Sequence, residues 1–308
     1  MGMLVVDNIT KKYEGEKYAL HQISFSIPSE GIFALIGRNG AGKTTLVRIL
    51  ATQLEATSGR ASIDGIDVTS DPEKLRSEIA CVPQEARTVG WLTPRQFIVS
   101  YLLWRGFRYA EAKRRADEAA RTLGIHRYMD STSRKLSGGT RRKVLVAAAV
   151  ASGARILFLD EPTTGLDPIS RGDLWRTLMY LKKKHFIFLT THYLEEAEKL
   201  ADKIGILENG KLMALGTLQD LRDKAKFPYS IKILSKMTVK KPKGGVLVKG
   251  IDGNYQIATT EKEAYRISTR LIMDGVRFSM NPMNLDDIFY YIVRKPIEED
   301  EYDQEEKW

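Results

Sequence analysis

The sequence predicts an α/β fold: a mixed sheet flanked by helices, a helical subdomain inserted into it, and a small α+β appendage at the carboxyl end. Two observations carry this prediction. Three apolar runs, Ile32–Ile36, Ile156–Leu159 and Phe186–Leu189, have the length and composition of strands that are buried on both faces. Between the first two, from about residue 91 to residue 152, the pattern is helical and shows no strand signal.

The bulk composition excludes several classes of protein. A chain of 308 residues is expected to form one large domain, or one with a smaller partner. The single cysteine, Cys81, excludes an internal disulfide framework and a cysteine-based zinc cluster, and is expected to be a buried apolar side chain. No signal peptide is expected, and the longest apolar run, Val144–Ala151, is too short to span a bilayer.

The charge is unevenly distributed along the chain. The formal net charge of the chain is +9. Residues 297–308 carry seven acids and one base, a net charge of −6, so residues 1–296 carry +15. A basic body can face nucleotide, nucleic acid or anionic lipid headgroups, although a solvated surface is the simpler interpretation. The acidic tail is expected to be a disordered, solubilising end.

A glycine-rich segment, Gly37–Thr45, lies between the strand Ile32–Ile36 and a run of helical period, Leu46–Leu50. Its spacing fits G-x-x-x-x-G-K-[ST], the phosphate-binding loop. Glycines let several backbone N–H groups converge on one phosphate group. Lys43 supplies a charge for the β- and γ-phosphates, and Thr44 supplies a hydroxyl for Mg²⁺.

Polar residues follow two of the buried strands at their carboxyl ends, where ligands bind in such sheets. After the second strand come Asp160, placed to hold Mg²⁺, and Glu161, placed to accept a proton from an attacking water. After the third comes His192, which can donate to a γ-phosphate. Taken alone, these residues also fit an Asp-Glu-Pro turn and a structural histidine.

Two weaker signals accompany these. Ser137-Gly138-Gly139 precedes a helix that begins with basic residues, and predicts either a second anion site or a plain helix cap. Tyr13, in a polar segment, can stack on a nucleobase or pack on its own sheet.

In order and spacing, these motifs resemble those of the ATP-binding cassette (ABC) ATPases, over residues 3 to about 224. Six family motifs have a counterpart here: the phosphate loop Gly37–Thr45, the glutamine loop at Gln84, the signature segment Leu136–Gly139, the acidic strand Ile156–Glu161, the D-loop Gly165–Pro168 and the switch histidine His192. The resemblance implies a P-loop core of the ABC type. One departure is Thr140, where the family usually has glutamine, which puts a ligand role for Thr140 in doubt.

The resemblance implies a role for each matching residue. Glu161 would be the catalytic base, and His192 and Lys43 would contact the γ-phosphate. Gln84 would complete the catalytic set by sensing the metal and the nucleophile, and Tyr13 would stack on adenine. The nucleotide-binding set would be Gly37, Asn39, Gly40, Ala41, Gly42, Lys43, Thr44, Thr45, Ser137, Gly138, Gly139 and Asp167. Mg²⁺ would be held by Thr44, Gln84 and Asp160. Ser137 and Gly139 would reach the ATP bound by the other subunit of a head-to-tail dimer.

The function implied is that of the ATP-hydrolysing subunit of an ABC transporter, cytoplasmic and peripheral on the inner face of the cell membrane. It would act as a homodimer, or with a homologous ATPase, and power a separate integral membrane permease for export. Gln84 with Trp91, Phe97, Tyr101 and Trp104 would receive the permease, although these aromatics fit the core of the helical subdomain equally well. The segment Asn284–Phe289 resembles the carboxyl-terminal part of multidrug, antibiotic and sodium exporter ATPases.

The domain limits expected are residues 1–224 for the ATPase with a helical subdomain at about 90–152, residues 225–296 for the appendage, and 297–308 for the tail. A second hypothesis is a soluble ABC ATPase that acts on ribosomes or nucleic acid. It is disfavoured by the single cassette and the lack of a coiled-coil or metal-cluster insertion, so we do not expect nucleic acid as a partner. A non-enzymatic nucleotide sensor would need a damaged site, whereas Glu161 and His192 are both present.

Overall fold

The computed structural model describes residues 2–13, 18–225, 227–234, 245–249 and 255–293. The chain divides into two compact units, Met1–Leu212 and Met213–Trp308. The division falls earlier than the expected limit after residue 224. The helix Leu218–Ala225 packs on the helix Leu285–Val293, and both lie in the second unit.

The first unit contains a four-stranded antiparallel sheet with the order β2-β1-β4-β5. Its strands are β1 (Met3–Lys12), β2 (Tyr18–Pro28), β4 (Ser58–Ile63) and β5 (Ile66–Asp67). Apolar side chains alternate with polar ones along β1 and β2, and the apolar set, including Leu4, Val6 and Ile23, is buried. One face of this sheet therefore belongs to the core.

The central sheet has the order β9-β3-β8-β7-β6, with β10 at its edge, the strand in which the division into units falls. Its strands are β3 (Ile32–Ile36), β6 (Ile79–Val82), β7 (Ile156–Asp160), β8 (Phe186–Thr191), β9 (Lys203–Glu208) and β10 (Lys211–Gly216). Strands β3, β6, β7, β8 and β9 pair in parallel. Every residue of β3, β7 and β8 is buried, as their continuous apolar runs predict.

Seven α-helices complete the described part of the first unit. They are α1 (Lys43–Leu50), α2 (Pro72–Glu78), α3 (Pro94–Trp104), α4 (Tyr109–Thr122), α5 (Gly138–Ala151), α6 (Pro168–Leu181) and α7 (Leu194–Leu200). Helices α3, α4 and α5 pack on one another and form the predicted helical region. Thr93 caps α3, since its side chain accepts the Gln96 N–H and the Gln96 side chain accepts the Thr93 N–H.

The second unit contains a four-stranded antiparallel sheet with the order β12-β13-β11-β14. Its elements are α8 (Leu218–Ala225), β11 (Tyr229–Ile233), β12 (Gly245–Lys249), β13 (Tyr255–Thr259), α9 (Glu261–Met273), β14 (Phe278–Pro282) and α10 (Leu285–Val293). Ile231, Ile257 and Ile267 belong to one apolar cluster between the sheet and α9. The unit therefore has the α+β composition expected of the appendage.

The acidic tail 297–308 and most of the Lys-rich stretch 236–245 lie outside the described residues, as do residues 14–17 after Tyr13. Across the described ranges, no helix combines the length and the apolarity that a bilayer crossing requires.

Candidate functional site

The phosphate loop joins the end of β3 to the start of α1. Gly40 and Gly42 have φ angles of +82° and +106°, in the left-handed region that favours glycine. At Gly42 a Cβ atom would lie 2.4 Å from the carbonyl oxygen of Ala19, so a side chain does not fit. No side chain caps α1, so the N–H groups of its first turn are available to an anion.

Lys43 begins α1 and its side chain is only 5% exposed. Its ammonium group donates to the carbonyl oxygen of Gly37 at 2.8 Å and to that of Arg38 at 3.2 Å. It also lies 3.3 Å from Glu161 Oε1. The loop therefore folds back over its own lysine and directs the charge toward the acidic end of β7.

The Glu161 carboxylate joins residues from four separate parts of the chain. Oε1 pairs with Lys43, while Oε2 lies 2.9 Å from His192 Nδ1 and accepts from the Thr164 hydroxyl at 2.9 Å. The Gln84 amide nitrogen lies 3.5 Å from the same oxygen. Burial raises the pKa of Glu161, but the Thr164 hydrogen bond and the charges of Lys43 and His192 outweigh it, so the pKa is held below its usual value.

The backbone of Glu161 is also unusual. Its φ angle is +46°, in the left-handed region that non-glycine residues rarely occupy. Its N–H lies 3.1 Å from the carbonyl oxygen of Thr190 and 3.0 Å from the hydroxyl oxygen of Thr190. Tertiary contacts therefore hold the residue in a conformation that turns its carboxylate away from the strand direction.

Asp160 precedes Glu161 and is 2% exposed. Its Oδ1 accepts a hydrogen bond from the Thr190 hydroxyl on the neighbouring strand β8. Asp160, Thr44 and Gln84 carry carboxylate, hydroxyl and amide oxygens, the ligand types that Mg²⁺ prefers. The described residues contain no group of three or more His, Cys, Asp or Glu side chains that could hold a metal. Mg²⁺ is usually bound by one or two carboxylates together with substrate phosphate and water, and Asp160 with its neutral oxygen donors fits that pattern.

Tyr13 lies beside the phosphate loop. Its hydroxyl is 3.4 Å from the Thr45 hydroxyl, and the ring is 47% exposed. The Lys11 ammonium group lies 5.5 Å from the ring centroid. An exposed ring next to a phosphate loop fits a nucleobase platform better than packing on its own sheet.

The signature segment begins α5, and the D-loop begins α6. Ser137 caps α5 by accepting the Thr140 N–H at 3.2 Å, and Asp167 caps α6 by accepting two N–H groups at 3.0 Å. A Cβ atom on Gly139 would lie 2.6 Å from Ser170 Cβ, so the two helix starts meet at this glycine. These caps are structural roles, and nucleotide contacts by Ser137, Gly138, Gly139 and Asp167 stay predictions.

A groove of about 650 Å³ opens beside α3 and is lined by Tyr101 and Trp104, among others. We call it the aromatic groove. The other residues predicted to receive the permease do not line this groove. Gln84 lines a separate cleft of about 480 Å³, and Trp91 and Phe97 line neither. Trp104 is 86% exposed and Trp91 is 74% exposed, so neither belongs to the subdomain core, which is built from smaller residues such as Ile98 and Leu102.

Three residues of the site were not predicted from the sequence. Thr164 and Thr190 hold Glu161 and Asp160 by hydrogen bonds, and both adjoin predicted motifs. Arg142 is 8% exposed and donates to the carbonyl oxygen of Pro162 at 2.9 Å. Helical spacing could have found Arg142, since it shares a face of α5 with Val146, which is fully buried.

The arrangement brings the ammonium group of Lys43 and the imidazole of His192 into contact with one carboxylate, that of Glu161, at the carboxyl edge of a parallel sheet. A triphosphate bound by Lys43 would bring its γ-phosphate to this group. The carboxylate can then accept a proton from water, and His192 can donate to phosphate oxygen.

Comparison with known proteins identifies similar chains. A family model described as "ABC transporter" matches residues 20–164. The chain is 37% identical over 215 residues to the daunorubicin/doxorubicin resistance ATP-binding protein DrrA of Streptomyces peucetius, which covers 70% of this chain and 65% of that protein. It is 31% identical over 272 residues to ABC transporter A family member 7 of Arabidopsis thaliana, which covers 84% of this chain and 29% of that protein. The chain thus spans less than two thirds of the length of either relative.

Solved structures agree with these matches. The ATP-binding subunit of an ABC transporter superposes with a TM-score of 0.63 at 30% identity and covers 72% of this chain and 92% of that one. An ATP-binding cassette in a dimeric, post-hydrolysis state bound to ADP and Pi superposes with a TM-score of 0.63 at 25% identity and covers 70% of this chain and 98% of that one.

Proposed function

This chain belongs to the ATP-binding cassette (ABC) ATPases, and from that premise we propose that it binds Mg-ATP at a head-to-tail dimer interface and powers a separate membrane permease for export. The observation that supports this most strongly is the convergence of Lys43, His192 and Gln84 on Glu161. A phosphate-binding lysine, a histidine and a glutamine around one carboxylate are the parts that hydrolysis of a γ-phosphate needs.

In the proposed reaction, Lys43 binds the β- and γ-phosphates and exchanges its contact with Glu161 for phosphate oxygen. Glu161 then accepts a proton from the attacking water. The charge of Lys43 lowers the pKa of Glu161, so transfer of that charge to phosphate makes the carboxylate a stronger base. His192 donates to γ-phosphate oxygen, and its contact with Glu161 keeps the imidazole at the reacting group.

Mg²⁺, held by Thr44, Gln84 and Asp160, would neutralise the charge that develops on the phosphates. Tyr13 would carry the adenine ring. Its hydroxyl contact with Thr45 places the ring at the phosphate loop, as one nucleotide spanning both would require.

Dimerisation is proposed because the chain has two predicted anion sites on different helices. The phosphate loop precedes α1, whereas the signature segment precedes α5. In a head-to-tail dimer, Ser137, Gly138 and Gly139 of one protomer would meet the ATP held by its partner, with Asp167 nearby. A similar cassette has been solved as a dimer. The partner would be a second copy of this chain or a homologous ATPase.

The permease is proposed from the aromatic groove. Trp104 presents a large apolar surface beside a groove of about 650 Å³, which suits an amphipathic partner helix. The name of the similar DrrA protein, which confers drug resistance, supports export as the direction. The chain would then work at the cytoplasmic face of the membrane as a peripheral subunit.

The experiment is a detergent pull-down from native membranes with tagged Glu161→Gln protein, ATP and Mg²⁺, read by mass spectrometry. We expect this variant to bind ATP, to lose hydrolysis and to form a stable ATP-bound dimer that retains a polytopic membrane protein in stoichiometric amount. Glu195→Gln, at an exposed glutamate paired with Lys199, is the matched control and should turn over ATP. Adding Trp104→Ala to Glu161→Gln should reduce recovery of the membrane protein.

Two outcomes would contradict the proposal. Hydrolysis by Glu161→Gln at the wild-type rate would mean that another group is the base. Recovery of ribosomal proteins or nucleic acid in place of a membrane protein would favour the soluble ATPase, with the basic body of the chain as its contact surface.

A further inference from the structure

Arg142 is a buried cation whose described hydrogen bonds all go to neutral groups. Its guanidinium donates to the carbonyl oxygen of Pro162 at 2.9 Å, to that of Asp160 at 3.0 Å and to that of Glu161 at 3.2 Å. A fourth contact, at 3.4 Å, reaches the carbonyl oxygen of Pro83. Burial is the main cause that lowers the pKa of Arg142 to about 10, and the nearby charge of Arg87 lowers it further.

Burial of the Arg142 guanidinium is unfavourable, so its position calls for an explanation. Taking a guanidinium out of water is unfavourable, and a carboxylate partner would offset the cost more fully than carbonyl groups do. The planar fork of arginine can, however, hold several oxygens in fixed relative positions, which a lysine ammonium on a flexible stem does not.

The carbonyls that Arg142 holds belong to the segment that sets the direction of the base. They come from three consecutive residues, Asp160, Glu161 and Pro162, and the middle one has the left-handed backbone with φ of +46°. Thr190 fixes the N–H of Glu161 from one side, and Arg142 fixes its carbonyl oxygen from the other. The two contacts together define the peptide planes on both sides of the Glu161 side chain.

Arg142 also connects this segment to two other motifs. It lies on α5, which begins directly after Ser137, so a shift of the signature segment is carried by the helix to the guanidinium. Its contact with Pro83 reaches the residue immediately before Gln84. One side chain thus contacts the acidic strand end and the glutamine loop from the signature helix.

We infer that Arg142 is a positioning residue that holds the backbone of Glu161 so that its carboxylate faces the γ-phosphate, and that couples this position to the signature helix. The inference rests on the proposed role of Glu161 as the base. Arg142 itself would touch neither nucleotide nor water in the reaction.

The test is steady-state ATPase kinetics of Arg142→Met and Arg142→Lys. Because a small displacement of a reacting group is costly, we expect kcat of Arg142→Met to fall roughly 10- to 100-fold while KM for ATP changes less than about threefold. Arg142→Lys keeps the charge but lacks the planar fork, so its kcat should lie between those of Arg142→Met and wild type. Arg114→Met, at an exposed arginine paired with Glu118 on α4, is the control and should leave kcat unchanged.

A second measurement separates positioning from general destabilisation. Arg142→Met in the Glu161→Gln background should lower the residual rate no further, because the group through which Arg142 acts is already gone. A further drop by the same factor as in wild type would overturn the inference. Should Arg142→Met fail to fold, Arg142→Lys decides, and wild-type kcat in that variant would contradict the inference.

The outcomes distinguish this inference from the proposed function. A fully active Glu161→Gln enzyme would refute the base and the inference together. An inactive Glu161→Gln enzyme, with wild-type kcat in both Arg142 variants, would leave the base in place and refute the inference alone.

Discussion

The ammonium nitrogen of Lys43 lies 3.3 Å from Oε1 of Glu161, and both side chains are 5% exposed. The cation that we propose binds phosphate and the carboxylate that we propose activates water are therefore partners in one ion pair. Because the pair is buried, neither charge is well hydrated, and a bound triphosphate competes with Glu161 for Lys43. Under the proposed function, this one contact would link nucleotide binding to activation of Glu161.

Lys43→Ala should abolish tight ATP binding. Hydrogen bonds to charged groups contribute about 1.5–3 kcal/mol each, so the affinity should fall by roughly 10- to 150-fold or more. Isothermal titration calorimetry measures this directly. Lys74→Ala, at an exposed lysine paired with Asp71, serves as the control. Unchanged ATP affinity in Lys43→Ala would refute the phosphate-loop assignment.

Tyr13→Ala should weaken ATP binding through loss of base stacking, which contributes about 1–3 kcal/mol per base. Tyr13→Phe keeps the ring and loses only the hydroxyl contact with Thr45, so it should bind nearly as wild type does. Fluorescent nucleotide titration compares the two, with Tyr109→Ala, at an exposed tyrosine on α4, as the control. Equal losses in Tyr13→Phe and Tyr13→Ala would assign the effect to the hydroxyl and not to stacking.

Gly139→Ala should destabilise the first unit, since the new methyl group would lie 2.6 Å from Ser170 Cβ. Overpacking of this kind costs about 1–3 kcal/mol, which thermal unfolding detects. Gly139→Ala with Ser170→Gly removes the clash and should restore the melting temperature. The ATPase rate of that double variant then shows whether Gly139 has a role beyond packing: full activity means that it has none, and continued loss supports a nucleotide contact.

Glu196 is fully buried on α7 and accepts the Trp175 indole N–H at 3.0 Å. Burial raises its pKa above the usual 4.5, although the Trp175 hydrogen bond and the nearby hydroxyl groups of Thr191 and Thr163 act in the opposite direction. A carboxyl with a raised folded-state pKa gives its full contribution to stability below the unfolded pKa and loses it as the pH rises through the folded value.

Wild type should therefore lose stability relative to Glu196→Gln as the pH rises above 4.5, until Glu196 is ionised in the folded state as well. Melting temperatures of both proteins, measured from about pH 4.5 to 8, test this. Glu195→Gln, at an exposed glutamate of the same helix, should show no such trend. A wild-type melting temperature that rises relative to that of Glu196→Gln over this pH range would contradict the assignment.

The sequence predicted the elements that depend on local signals. The bounds of β3 agree with its apolar run, and the helical region predicted between β3 and β7 is present as α3, α4 and α5. The phosphate loop, Glu161 and His192 were predicted as site residues because each motif has a spacing required by its chemistry, and their roles stay predictions.

What the sequence did not predict depends on contacts between distant segments. Helix α8 follows the central sheet in the chain but packs on α10, and no local sequence pattern predicts that packing. The exposure of Trp104 could not be distinguished from burial, because an aromatic at helical spacing fits either environment. The partners of Arg142 are separated from it by 18 to 59 positions, so its role was visible only after folding.

The left-handed backbone of Glu161 lowers the stability of the fold at the residue that we propose as the base. A non-glycine residue held at φ of +46° costs on the order of 1–3 kcal/mol, and the Pro162 that follows restricts its conformation further. Glycine at this position would relieve the strain and remove the base. Selection for heat resistance alone should therefore favour an inert enzyme here, and only selection for turnover would retain the glutamate.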